Sequence, residues 1–179
     1  MRRTSIGLAA TGLAALALAG PAAAATTTTP TSMYASAVLV SFGPNGDIME
    51  GDVAVTKSKQ GSELQIEVTD YTYDVNGNPT RSITTNTDVT SGFDLKFQDP
   101  GRLGGATVAA ASVPATSCTY DANGNQTGCV ASTFTGLSVT WHRSQPLVTG
   151  VDQFSASVVA PTFDGIVWNV HEAFIGYNY

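Results

Sequence analysis

From Tyr34 to Tyr179 the chain is a succession of short apolar runs punctuated by turn-forming clusters. No window of about 11 residues carries an apolar stripe of helical period. The runs are rich in Val, Ile, Thr, Phe and Tyr, whose branched and aromatic side chains suit a pleated surface. The separators are Gly43-Pro44-Asn45-Gly46, Asn76-Gly77-Asn78, Asp99-Pro100-Gly101, Asn123-Gly124-Asn125 and Ser144-Gln145-Pro146. Strands are expected over Tyr34–Phe42, Ile48–Lys57, Glu63–Tyr73, Arg81–Thr87, Gly92–Phe97, Ala106–Val113, Ser117–Asp121, Gln126–Ala131, Phe134–Arg143, Val151–Val159 and Gly165–Tyr177. This spacing predicts an all-β domain, an antiparallel β-sandwich or, as the alternative, a closed antiparallel β-barrel. Leu64, Ile66 and Val68 alternate with Glu63, Gln65 and Glu67, which gives one apolar and one wet face. Phe93, Leu95 and Phe97 against Asp94, Lys96 and Gln98 repeat the pattern.

Met1-Arg2-Arg3, the apolar stretch from Ile6 to Gly20 and the small residues Ala22 to Ala25 form the three segments of a secretory signal. Residues 1–25 are read as that signal, 26–33 as a disordered Thr-rich lead-in, and 34–179 as one domain. The expected location is therefore extracellular. Without Arg2 and Arg3, 6 Lys plus Arg face 14 Asp plus Glu, a net of −8. Nucleic acid and anionic lipid both require a basic surface, so neither is an expected partner. An outer-membrane barrel would need a polar interior, whereas Leu64, Ile66, Val68, Leu137, Val139 and Trp141 predict an apolar one.

One nonapeptide recurs. Thr72-Tyr-Asp-Val-Asn-Gly-Asn-Pro-Thr80 matches Thr119-Tyr-Asp-Ala-Asn-Gly-Asn-Gln-Thr127 at seven of nine positions, 47 residues apart. Its wording resembles the Tyr-Asp repeats of Rhs-type surface proteins, although two copies are not the long array of that family. Asn-Gly supplies the positive φ angles of tight hairpins, so two similar hairpins are expected, with Tyr73 and Tyr120 in equivalent places. Cys118 and Cys129 flank the second turn. In an exported chain this spacing reads as a cross-strand disulfide contributing about 2–3 kcal/mol. A two-residue turn would place the pair at a wide, hydrogen-bonded position; a bulged Gly124 would shift the register.

Metal and cofactor chemistry has little to stand on. His142 and His171 have no ligand spacing to the cysteines. Asp74-Val-Asn76-Gly77-Asn78 and its copy begin like a calcium loop, but Gly is at position 4 and position 12 is Thr85 or Ser132. Asp47, Glu50 and Asp52 read as a solvated loop end. No cofactor and no metal are expected.

For function, the first expectation is a non-catalytic binding module for glycan or cell-envelope polymer. Tyr71 and Tyr73 share a wet strand face with Glu67 and Thr69, and Tyr120 opens the second hairpin, so these three tyrosines are the candidate binding residues. A secreted hydrolase using Glu172 or His142 is the alternative: Trp168, Val170, Glu172 and Phe174 alternate onto one face, and a carboxyl buried there would have the raised pKa of a general acid. A third reading is a protease inhibitor presenting the stapled 118–129 hairpin. Catalytic residues and oligomeric state are not read from the sequence.

Overall fold

The computed structural model describes residues 30–43, 47–148 and 150–179. The signal segment, residues 26–29 of the lead-in and the Pro44–Gly46 turn residues lie outside them. The described chain is all-β and antiparallel, in eleven strands: β1 (Ser32–Phe42), β2 (Ile48–Ser58), β3 (Ser62–Tyr73), β4 (Pro79–Val89), β5 (Asp94–Gln98), β6 (Gly105–Asp121), β7 (Gln126–Arg143), β8 (Gln153–Val158), β9 (Thr162–Phe163), β10 (Ile166–Val167) and β11 (Asn169–Asn178). Ser32 and Met33, read as lead-in, already stand in the ladder opposite Asn178 and Tyr177. The pairings run β7–β8–β11–β1–β2–β3–β4–β6 and return to β7, so the sheet closes into a ring. This form lies between the two-sheet sandwich and the closed barrel, and both expectations describe it loosely.

Alternation builds the interior. Ala35, Ala37 and Leu39 of β1, Val53 and Val55 of β2, and Leu64 and Ile66 of β3 point inward and are buried. Trp141 reaches across from β7, and its indole N–H donates to the Ser36 carbonyl of β1 at 2.9 Å. At one end of the ring Phe163 stacks on Trp168 with centroids 4.6 Å apart and meets Phe134 edge-on. Trp168 in turn lies over Gly51 of β2, where a Cβ would come within 3.2 Å of the indole. At the other end Leu103, fully buried in the turn before β6, closes the core.

Two irregularities reset the faces. Each expected pair of strands over 106–121 and 126–143 is a single long strand. The break lies inside them, at Ala111 and Gly136, where the β6–β7 ladder skips one pair and Gly136 takes φ 61°. Below it Leu137, Val139 and Trp141 face inward; above it Phe134 does. Pro114 is tolerated in mid-strand because its missing N–H falls on the β4 side, where the ladder has ended at Asn86–Thr116. Thr87 Oγ1 donates to the Pro114 carbonyl there. The second irregularity is His171. Val38 pairs Glu172 but Leu39 pairs Val170, so His171 is an extra residue.

Candidate functional site

The repeated nonapeptide folds twice into the same hairpin. In the first copy Asp74 N–H donates to the Asn78 carbonyl and Gly77 N–H to the Asp74 carbonyl; Asp121, Asn125 and Gly124 repeat this in the second. Gly77 and Gly124 have φ of 81° and 77°, the left-handed values only glycine adopts cheaply. Each turn is followed by a bulge on the returning strand. Tyr73 pairs Pro79 and Thr72 pairs Arg81, just as Tyr120 pairs Gln126 and Thr119 pairs Gly128. The extra residues, Thr80 and Thr127, send their hydroxyls back to the Thr72 and Thr119 carbonyls.

The aspartate at the head of each turn is consumed by it. Asp74 Oδ1 accepts the N–H groups of Asn76 and Asn78 at 2.8 and 2.9 Å, and Oδ2 accepts the Asn78 amide at 3.1 Å. Asp121 does the same with Asn123 and Asn125. The donors favour the ionised form, so both carboxyls are held below the usual aspartate range: Asp74 chiefly by the backbone of Asn78, Asp121 chiefly by the side-chain amide of Asn125. The folded pKa thus lies below the unfolded one. Each turn's stabilisation is fully present above the unfolded value, near pH ~3.9, and is lost as pH falls through the lower folded value. The amide resonances of Asn76, Asn78, Asn123 and Asn125 are therefore expected to titrate together with midpoints below ~3.9. A midpoint at or above that value would show that the carboxylates do not hold the turns.

Cys118 and Cys129 are bonded, and their Cα atoms are 4.1 Å apart. That is the narrow, non-hydrogen-bonded kind of pair. The bulge at Thr127 explains how: the turn starts the ladder at Tyr120–Gln126, and the extra residue then brings Cys118 opposite Cys129.

The two hairpins lie side by side because β4 pairs β6 from Arg81–Asp121 to Asn86–Thr116. Directly paired residues share a face. Tyr71 pairs Ser82 and Ser82 pairs Tyr120, so two of the candidate tyrosines stand in one row on the outer face, with a serine between them. The Tyr71 and Tyr73 rings are 6.3 Å apart. Tyr73 is exposed, while Tyr71 and Tyr120 are half-buried. The next row holds Thr69, Thr84, Cys118 and Cys129, with the two threonine hydroxyls 3.0 Å apart. Beyond it come Asp52, Glu67, Asn86 and Thr116. Here Asp52, Glu67, Asn86, Gln65 and Asp88 line a shallow groove of about 510 Å³, which sequence reasoning did not find. Its signal was present in the alternation of β3 but needed the partner strands to be known. Burial raises the Tyr71 hydroxyl pKa, and Glu50, Tyr73 and Glu67 add to it. Asp52 is raised by burial first and by Glu172 second.

Of the other candidates, Glu172 stands across Val38 in the row of Asp52 and Glu67, and His142 lies apart. Because His171 shifts the phase of β11, Ala173 and Ile175 take the inward side in place of Glu172 and Phe174, while Trp168 is buried and Val170 is exposed. Glu172 is exposed on the outside, not buried beside Trp168, so the buried carboxyl expected there is not formed. His142 is exposed on β7, and the hydroxyl of Ser157, which pairs with it, donates to its backbone carbonyl rather than to the imidazole. Asp70 faces the opposite way from Tyr71; burial, then Asp47, raise its carboxyl and Arg81 lowers it.

Most of the cations gather at one end, alongside Glu63, Asp99 and Asp152. Lys57, Lys59, Arg102 and Arg143 lie where β2 and β7 end and β3 and β6 begin. Around the hairpin tips and the tyrosine rows stand Asp47, Glu50, Asp52, Glu67, Asp70, Asp74 and Asp121, with Arg81 among them. Among the described residues, no helix is long and apolar enough to cross a membrane. No family model matches this chain, and neither does any curated protein or solved structure.

Proposed function

We propose that the chain is an extracellular, non-catalytic binding module, and that its outer face over β3, β4 and β6 receives a neutral, hydroxyl-rich polymer such as a glycan. The single observation that carries this reading is the Tyr71–Ser82–Tyr120 row, built by two copies of one turn and made rigid by the disulfide one row away. Tyrosine offers an apolar ring for stacking on a sugar face at low entropic cost, together with a hydroxyl. The adjoining Thr69, Thr84, Asn86, Glu67 and Asp52 supply acceptors and donors for hydroxyl groups. An acidic rim favours a neutral ligand over a phosphate-bearing one. The disulfide also accords with an oxidising compartment.

The test is a polysaccharide pull-down followed by titration of the bound polymer with wild type, Tyr71→Ala, Tyr73→Ala and Tyr120→Ala. Loss of one ring is expected to weaken binding by about 1–3 kcal/mol, roughly 5- to 150-fold. The melting temperature of Tyr73→Ala should stay near wild type, since that ring is exposed. Unchanged affinity in all three variants at unchanged melting temperature would remove the tyrosine face from consideration.

A further inference from the structure

The β6–β7 hairpin leaves one sheet edge open. Below Gly136, the outer side of β7 is taken by β8 at Trp141–Arg143 and by β9 at Ser138. At Thr135 both outward backbone groups are occupied: its N–H donates to Asp164 Oδ1 and its carbonyl accepts from Asp164 N–H. Above Thr135 the alternation continues. The narrow Cys118–Cys129 pair turns the Cys129 N–H and C=O away from β6, and Ala131 and Thr133 follow with the same phase. Among the described residues, no backbone partner meets these groups. At the far end the free stretch stops at the Thr127 bulge, whose hydroxyl donates to the Thr119 carbonyl.

Open edges are normally protected by charge, proline or brevity. β5 has five residues and carries Asp94 and Lys96. The open stretch of β7, Gln126 to Thr133, has no charge and no proline, and Val130 is 68 % exposed. The disulfide and the β4–β6–β7 ladders hold it extended.

We propose that this edge pairs with the same edge of a second copy of the chain, antiparallel about a two-fold axis at Ala131. The free residues 129, 131 and 133 are symmetric about 131. In that register Cys129 pairs with Thr133 of the other copy, Ala131 with Ala131, and Thr133 with Cys129. The outward N–H and C=O groups of residues 129, 131 and 133 on both edges are then all paired. A segment without charge is also where two chains of net −8 can approach without opposing like charges. The contact is isologous, so it closes as a dimer instead of growing into a fibre. Side chains keep their side of the sheet across such a seam, and the tyrosine faces of the two copies would be continuous. The proposal does not depend on what those faces bind.

Sedimentation equilibrium of the chain without its first 25 residues should show a concentration-dependent dimer, with the amides of Cys129, Ala131 and Thr133 gaining hydrogen-exchange protection as it forms. Ala131→Pro removes the N–H on the axis without touching the β6–β7 ladder, and is expected to weaken the dimer roughly tenfold or more. Val130→Lys introduces a charge on an exposed side chain beside the axis and should weaken it as well; it keeps the test open if the proline variant melts early. A monomer at every concentration overturns the proposal and leaves the edge to a strand from a different protein. A dimer of equal strength in both folded variants overturns it too, by placing the contact elsewhere.

Discussion

Replacing Trp141 with alanine is expected to lower the unfolding free energy by about 3–5 kcal/mol. The side chain is fully buried and among the largest in the core. It also links opposite walls of the ring, since β7 and β1 are separated by β8 and β11 and the indole N–H bonds to Ser36 across the interior. Truncation therefore removes packing from both walls at once and leaves a cavity that paired strands cannot easily collapse. For a domain of this size the melting temperature should fall by on the order of 10 °C. Trp141→Phe keeps most of the volume and loses the hydrogen bond, worth about 1 kcal/mol by itself, so it should fall between. Calorimetry of the three proteins decides the matter. An alanine variant within about 1 kcal/mol of wild type would mean that the ring closes without this residue.

The second large effect is expected at Gly176. It is buried in β11 between Tyr34 of β1 and Gln153 of β8. A Cβ at this position would lie 2.6 Å from Cε1 and Cζ of the Tyr34 ring and closer still to the backbone oxygen of Asp152. That oxygen is fixed, because it accepts the Tyr177 N–H at 2.7 Å. Gly176→Ala must therefore push paired strands away from each other, at a cost of about 3 kcal/mol, the upper end of what overpacking does. Gly77→Ala provides the contrast. Its φ of 81° strains an alanine, but its surroundings are open, so about 1–2 kcal/mol is expected. Urea midpoints should rank Gly176→Ala well below Gly77→Ala. The reverse order would show that Asp152 and its strand yield readily.

Much of the fold is legible in the sequence, and what is legible is local. Period-two alternation in β3 sorted Leu64 and Ile66 inward and Glu67 outward, and the burial agrees. The nonapeptide predicted two like hairpins, and the cysteine spacing predicted the staple of the second. What failed were the faces downstream of an inserted residue. Alternation carried straight through His171 puts Glu172 with Trp168, but one extra residue reverses every side chain beyond it. The same reasoning split β6 and β7 near Pro114 and Thr133, when the real kink was at Gly136.

Local sequence thus settles that the chain is antiparallel and all-β, where it turns, and that Cys118 meets Cys129. These follow from backbone preferences and distances within a few residues, which neighbours along the chain suffice to specify. It takes the assembled fold to show that the sheet returns on itself, that Tyr71 and Tyr120 share a row, that Glu172 faces outward and that the upper edge of β7 stays open. Each of these depends on which non-adjacent strands pair and in what register. That choice is made by packing the whole interior at once, with Trp141, Phe134 and Trp168 filling it from different strands, and no short stretch of sequence contains it.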